Sequence, residues 1–245
     1  MWTRVVLILI FISISGMARG EIRAVDKNQL LKNATKAFNA CEGKKGTNII
    51  DSGHIICLHD EIGPSMFVKL MQVRGEIKER PIVVMASPGG RVDSSIDIVR
   101  LLDKFHPIPV VGEMCVSACA QFLFLMGSQR VLLHCGVVAM HGGPGSINAS
   151  LAMHLDGDGA HQRNIEDIWR FKDFYKNRNI SMDMVTKPPA DIQAEIDSGK
   201  LVFWQWSIHR LESFGVKGIV SDINPDVRSP KDYNQVCKKY SIYRP

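Results

Sequence analysis

The sequence predicts an α/β domain of alternating strands and helices, preceded by a leader for export. Between residues 48 and 223, short apolar runs alternate with segments whose apolar residues recur at helical spacing. This alternation is typical of βα units, which form a parallel sheet covered by helices. The turn SPGG at 87–90 follows one of these runs, and glycine permits the tight passage from a strand to the next element.

Residues 1–20 have the layout of a secretory signal peptide. Arg4 gives a positive start, an apolar run extends from Val5 to Ser15, and the small residues Ala18 and Gly20 suit a cleavage site. The apolar run is shorter than the roughly 20 residues that span a membrane. We therefore expect cleavage near residue 20 and a periplasmic or extracellular protein, with an uncleaved membrane anchor as the alternative.

The remaining 225 residues are enough for one large domain or two small ones. Cleavage removes two arginines, so 28 basic residues face 25 acidic ones and the net charge falls from +5 to +3. This mild excess favours no nucleic-acid partner, and no later run is apolar enough for stable membrane insertion. We expect an N-terminal segment over 21–47, a domain over 48–223 and a C-terminal tail over 224–245.

The first half of the domain is predicted from β-branched runs and amphipathic periodicity. The predicted strands cover 48–58 (one or two strands), 81–86 and 107–113, and the predicted helices cover 64–77 and 92–105.

The second half begins with an apolar segment over 118–126, which predicts a buried helix ended by Gly127. One or two strands are expected over 129–141, with a break at Cys135 and Gly136. A glycine-rich loop over 142–160 follows, and then helices over 161–178, 190–198 and 207–214. The aromatic run FWQWS at 203–207 is interpreted as core packing.

Ser117, in the stretch GEMCVSACAQ at 112–121, is a candidate nucleophile. A serine needs a base, a group that orients the base, and N–H donors for the oxyanion. The predicted junction of strand and helix offers the N–H of Ala118, and the SPGG turn offers a second donor. His141 ends a strand and supplies a base. The alternative is that Ser117 and His141 are structural residues at a tight turn and a strand end.

Three motifs together resemble the proteolytic subunit of Clp protease, in the ClpP/crotonase superfamily. They are SPGG at 87–90, GEMCVSAC at 112–119 and MHGGPG at 140–145. The CxSAC form and the leader are most similar to exported ClpP-like proteins of bacteria. The resemblance implies a layered fold of βα (ββα-type) units with a protruding C-terminal helix at 161–178, which joins subunits into a homo-oligomer.

The resemblance also implies site roles. Ser117 is the nucleophile, His141 the general base, and the N–H groups of Gly90 and Ala118 form the oxyanion hole. The position of the family's aspartate falls at about Phe203, where this chain departs from the pattern. Asp191 is the candidate acid and Asp197 the other. A Ser-His dyad completed by water or a carbonyl, or a site with little activity, is equally compatible with the sequence.

The implied function is an exported, ATP-independent serine peptidase that acts on peptides or proteins without a cofactor. A noncatalytic binding or assembly protein that kept the fold is the main rival. A crotonase-type enzyme acting on acyl thioesters is disfavoured, because coenzyme A is cytosolic.

All six cysteines follow the leader, which allows up to three disulfides with 15 pairings. Cys41–Cys57 and Cys119–Cys135 are candidate pairs, while Cys115 and Cys119 also suit buried packing. A thiolate nucleophile is disfavoured, because the motif marks the serine. The sequence HLDGDGAH at 154–161 carries metal-ligating residue types, but its composition favours a solvated lid, and we expect no metal.

Overall fold

The computed structural model describes residues 26–142 and 162–222, without the side chains of 162–167. The helices within these ranges are α1 (Lys27–Cys41), α2 (Pro64–Val73), α3 (Val92–Leu102), α4 (Ala118–Gln121), α5 (Gln162–Asn177), α6 (Asp183–Thr186), α7 (Ala190–Asp197) and α8 (Ile208–Ser213). The strands are β1 (Thr47–Ile50), β2 (Ile55–His59), β3 (Ile82–Ser87), β4 (Ile108–Val116), β5 (Arg130–Leu132), β6 (Val137–Gly142), β7 (Val202–Trp204) and β8 (Ile219–Ser221).

One central sheet contains all the described strands, in the order β1-β2-β3-β4-β5-β8, with β6 paired to β4 and β7 paired to β6. Only the β1–β2 and β6–β7 pairs within it are antiparallel. The long strand β4 has two partners: Val110 and Val111 pair with β5, whereas residues 114–116 pair with β6. The predicted mixed α/β class is confirmed.

Helix α1 covers one face of the sheet. The sequence pattern predicts no helix within the segment 21–47. In the structure, Asp26 caps α1 by accepting a hydrogen bond from the N–H of Asn28. The buried stripe of α1 packs on β2, β3, β4 and β5 through Leu30, Ala34, Ala37 and Cys41. The disulfide Cys41–Cys57 joins α1 to β2, so this predicted pairing is confirmed.

The other face of the sheet carries the larger core, which includes residues of α2, α3, α4 and α5. Helix α5 is the helix expected over 161–178. Its buried residues Phe171, Phe174 and Tyr175 pack in this core, and Arg170 forms an ion pair with Asp97 of α3. Trp169, on the same helix, is 61% exposed. The ion pair and the buried residues fix the second half of α5 against α3.

The helix predicted over 118–126 is broken in the structure, and this prediction is wrong. Helix α4 ends at Gln121, Phe122 has non-helical backbone angles, and a 3-10 turn covers Leu123–Leu125. The ring of Phe122 packs edge-on against aromatic rings of α5, and Tyr175 donates a hydrogen bond to the carbonyl of Gln121. Contacts with α5 therefore stabilise this segment where the helical hydrogen bonds do not continue.

Several predictions concern residues outside the described ranges. They are the leader at 1–20, the loop after Gly142, the sequence HLDGDGAH at 154–161 and the tail at 224–245. Within the described ranges, no helix combines the length and the apolar character that crossing a membrane requires.

Candidate active site

Ser117 and His141 lie together at the C-terminal end of β4, where this strand pairs with β6. The Ser117 Oγ lies 2.8 Å from the His141 Nε2, within hydrogen-bond distance. Strand β4 ends one residue before Ser117, and its parallel pairing with β6 sets the relative height of the two residues. The N–H of Ser117 continues that ladder by donating to the carbonyl of Ala139 at 2.9 Å. The sheet thus brings together the two residues that the sequence nominated as nucleophile and base.

Ser117 occupies a backbone conformation that normally belongs to glycine. Its φ of 56° and ψ of −126° lie outside the regions that L-residues favour. Residues in such regions cost about 1–3 kcal/mol each and persist only where the surroundings enforce them. One such contact is the Gln121 N–H, which donates to the Ser117 carbonyl at 2.9 Å. The conformation turns the chain sharply from β4 into α4 and leaves the hydroxyl facing His141.

Gly89 of the SPGG turn packs directly on Ser117. A Cβ at Gly89 would lie 2.6 Å from the Ser117 Cβ and 2.6 Å from the Val116 carbonyl oxygen, so only hydrogen fits there. The φ of Gly89 is 100°, which also requires glycine. The buried hydroxyl of Ser87 accepts a hydrogen bond from the Gly89 N–H at 3.1 Å and holds the turn in place.

Gly90 follows Gly89 in the SPGG turn and is paired with Ile62. The N–H of Ile62 donates to the Gly89 carbonyl, and the N–H of Arg91 donates to the Ile62 carbonyl. The bridge with Ile62 uses the Gly89 carbonyl and the Arg91 N–H, so it does not engage the N–H of Gly90. The N–H of Ala118, the first residue of α4, belongs to the helix start, where no carbonyl within the helix can accept it. Both predicted oxyanion donors therefore belong to segments that contact Ser117.

His141 is partly buried, and only one of its ring nitrogens has a hydrogen-bond partner among the described residues. Burial lowers the pKa of His141 below its ordinary value. If Nε2 accepts the Ser117 hydroxyl, the proton of the neutral ring is on Nδ1. Nδ1 is buried and has no hydrogen-bond partner among the described residues. An orienting group is therefore missing from this part of the structure.

Phe203 takes the position opposite His141. The two residues are direct partners in the antiparallel pairing of β6 and β7, and their ring centroids are 5.6 Å apart at an interplanar angle of 50°. Phe203 is the residue at which the family resemblance placed an aspartate. An apolar ring in that position excludes water and accepts no hydrogen bond in the ring plane.

Asp191 and Asp197, the candidate acids, are not brought to His141. Both lie on α7 and are exposed, and Asp197 accepts a hydrogen bond from the side chain of Gln193. The inward residues of α7 are Ile192, which is buried, and Ile196, which lies next to Gly142 of β6. Since these isoleucines are four residues apart, they define the inner face of the helix and direct both carboxylates elsewhere.

Comparisons with known proteins give a limited result. No family model and no curated protein matches the chain. Among solved structures, a ClpP1 mutant from Listeria monocytogenes is similar over 71% of this chain and 94% of its own, with 13% identity and a TM-score of 0.42.

The disulfides differ from one of the expected pairings. Cys119 is bonded to Cys115, with Ser117 midway between them. Cys135 is also disulfide-bonded, so the candidate pair Cys119–Cys135 is wrong. Cys115 lies on β4, which extends to Val116, whereas Cys119 lies in α4. The turn at Ser117 brings the two cysteines together.

Two surface cavities of the described structure lie away from this site. They are lined by residues around Arg130 and around His106, and neither includes Ser117 or His141. The buried Arg130 is occupied by backbone carbonyls, including those of Phe124 and Gly127. Within the described ranges, no three potential metal-ligating side chains cluster together.

Sequence reasoning missed the contact of Gly89 with Ser117 and the Cys115–Cys119 bond. The SPGG motif gave a signal for Gly89, because two adjacent glycines after a strand indicate that another backbone can approach closely. Cysteines at equal spacing on each side of the serine gave a signal for the disulfide, once the turn was taken into account.

Proposed function

We propose that this chain is an exported ClpP-like serine hydrolase that cleaves peptides through an acyl-enzyme. The observation that carries the proposal is the 2.8 Å hydrogen bond between the Ser117 Oγ and the His141 Nε2. A serine in a backbone conformation this unfavourable, with a partly buried histidine on its hydroxyl, is typical of an activated nucleophile. A serine that served only as a small residue would require neither feature.

In the proposed mechanism, the Ser117 Oγ attacks the substrate carbonyl while the His141 Nε2 takes the hydroxyl proton. The N–H groups of Gly90 and Ala118 stabilise the negative oxygen of the tetrahedral intermediate. His141 returns the proton to the leaving amine, which leaves an acyl ester on Ser117. Water then attacks this ester, His141 takes a proton from the water, and the same proton goes back to Ser117 as the acid product departs.

The proposed site works as a dyad. The lowered pKa keeps His141 neutral near pH 7, so the ring is ready to act as a base. The cost is that the imidazolium formed during acylation has no carboxylate to stabilise it. Loss of the acid from a serine hydrolase is less damaging than loss of the serine or the histidine. We therefore expect slow but measurable acylation.

The cellular setting is part of the same proposal. Disulfides persist in oxidising compartments, and both described disulfides suit a protein exported by a cleaved leader. ATP is absent there, so the peptidase would be ATP-independent and would need no cofactor. We further propose that α5 joins subunits into a homo-oligomer through the surface that carries Trp169. A strictly monomeric mass at high protein concentration would oppose this last part.

A noncatalytic binding or assembly protein is the second candidate. It is favoured by Phe203, which occupies the place expected for the acid, and by the unpartnered Nδ1 of His141. In this case the Ser117–His141 hydrogen bond would remain from a catalytic ancestor.

A fluorophosphonate probe separates the two candidates. The mature, oxidised protein is incubated with the probe, and mass spectrometry locates the adduct. We expect a phosphonyl group on Ser117, none on Ser117→Ala, and at least a 100-fold slower reaction of His141→Gln. Absence of any adduct on Ser117 would exclude the hydrolase and leave the binding protein.

A further inference from the structure

We propose that the Cys115–Cys119 disulfide is a positioning element that holds Ser117 in its reactive conformation. This inference deepens the proposed function and rests on it. Each cysteine lies two residues from Ser117, so the bond closes a small ring around the serine turn. The two sulfurs belong to fully buried residues, and no other covalent bond in the described structure constrains the serine turn.

The cross-link ties the turn to the centre of the sheet. Cys115 is the partner of Ser87 in β3 and of Val138 in β6, so its backbone is held on both sides. Cys119 lies in the first turn of α4, beyond Ser117. Fixing Cys119 to Cys115 therefore limits how far the chain can unwind from the unfavourable φ of Ser117.

Helix α4 cannot supply this restraint by itself. It has four residues, and Phe122 leaves the helical conformation immediately afterwards. The hydrogen bonds that hold it run from Gln121 to Ser117 and from Phe122 to Ala118. A helix this short is marginal without tertiary support, whereas the positions of the Ala118 N–H and the Ser117 Oγ both depend on it.

The two described disulfides thus have different roles. Cys41–Cys57 closes a longer loop, with a sequence separation of 16 against 4, and joins α1 to β2. In the chain-entropy model, the longer loop constrains the unfolded state more. The Cys41–Cys57 bond is therefore suited to global stability, and the Cys115–Cys119 bond to local geometry at Ser117.

The experiment compares Cys115→Ala/Cys119→Ala with the matched pair Cys41→Ala/Cys57→Ala in the mature protein. The fluorophosphonate reaction is followed at several probe concentrations, which separates the maximal rate constant from the half-saturating concentration. We expect removal of Cys115–Cys119 to lower the maximal rate constant roughly 10- to 100-fold with an unchanged half-saturating concentration. Removal of Cys41–Cys57 should lower Tm at least as much and leave the rate constant unchanged.

Equal rate constants for the wild type and the Cys115/Cys119 variant would overturn the positioning role while leaving the proposed hydrolase intact. An equal loss of rate in both variants would also overturn it, because the effect would then follow stability. If the alanine variant fails to fold, Cys115→Ser/Cys119→Ser replaces it.

A second readout does not depend on acylation. NMR of the His141 ring nitrogens reports whether Nε2 accepts the Ser117 hydroxyl. We expect that signature in the wild type and in the Cys41/Cys57 variant, and its loss in the Cys115/Cys119 variant. If the wild type is never acylated, the hydrolase proposal fails, while retention or loss of this signal still decides whether the disulfide positions Ser117.

Discussion

His141 and Phe203 face each other across the antiparallel pair of β6 and β7, with 5.6 Å between their ring centroids. The buried Nδ1 of the histidine has no hydrogen-bond partner in the described structure. An unsatisfied buried polar group costs about 1–3 kcal/mol. His141 is therefore in place as a base but has no orienting acid among the described residues. Position 203, directly opposite, is where an acid can be introduced.

Substitution of Phe203→Asp is expected to accelerate acylation of Ser117. Directly opposite residues in an antiparallel pair have their Cβ atoms about 4.5–5.5 Å apart, so a carboxylate at 203 is near enough to orient the ring and stabilise the imidazolium. We expect roughly a 10-fold or larger increase in the fluorophosphonate rate constant. Phe203→Asn is the control of matched size without charge, and an equal rate for both variants would contradict the prediction.

The pH dependence of wild-type acylation follows from the desolvation of His141. Burial lowers its pKa, and only the neutral ring can take the Ser117 proton. The rate should rise with pH through the pKa of the folded protein and reach its plateau by neutral pH. The half-maximal rate is expected below the ordinary pKa of 6.5. A half-maximal rate at or above that value would show that burial does not control this histidine.

Phe203→Asp should shift the rise in acylation rate to higher pH. A nearby carboxylate favours the charged ring and raises the pKa of His141. Rate constants of the wild type and the variant, measured between pH 4 and pH 9, test both the sign and the order of the two midpoints. A midpoint that stays fixed would show that the new carboxylate does not reach the ring.

Gly89→Ala tests the contact between the SPGG turn and the serine. The added methyl would lie 2.6 Å from the Ser117 Cβ and 2.6 Å from the Val116 carbonyl oxygen, so the turn or the serine must move. We expect the acylation rate constant to fall at least about 100-fold. Gly63→Ala is the control, since Gly63 has negative φ and nothing within 4 Å of the added atom. Equal rate constants for the two variants would show that the contact of Gly89 with Ser117 does not affect acylation.

Much of the fold follows from local sequence signals. The β-branched runs marked β3 and β4, and the apolar stripe of α3 marked its buried face. Helix α1 is not predicted from the sequence, because its buried stripe contains two alanines and a cysteine, which give a weak apolar periodicity. Strand β4 also extends further than expected, and this extension carries the chain to Ser117.

The features of the site that the sequence does not predict depend on contacts between segments distant in sequence. At the break, the ring of Phe122 packs against aromatic rings of α5, which lie far from residue 122 in the sequence. Strand pairing between β6 and β7 places Phe203 opposite His141, and pairing register is set by packing and connections rather than by either strand alone. The packing of α7 through Ile192 and Ile196 likewise leaves the candidate acids Asp191 and Asp197 on the exposed side of that helix.

The backbone conformation of Ser117 makes a prediction about stability that needs no substrate. With φ at 56°, any residue with a Cβ is strained, whereas glycine adopts positive φ readily. Ser117→Gly and Ser117→Ala both remove the nucleophile, but glycine also relieves the strain. After the entropic cost of glycine, we expect Ser117→Gly to have a free energy of unfolding about 1 kcal/mol above that of Ser117→Ala.

Urea unfolding of the two oxidised variants measures this difference. The control is Ala194→Gly on the exposed side of α7, where the backbone is helical and glycine should lower the free energy of unfolding by about 0.5–1 kcal/mol. The alanine-to-glycine change is thus expected to have opposite signs at 117 and 194. If glycine is destabilising at both positions, Ser117 is not held in a strained conformation, and the disulfide around it has nothing to enforce.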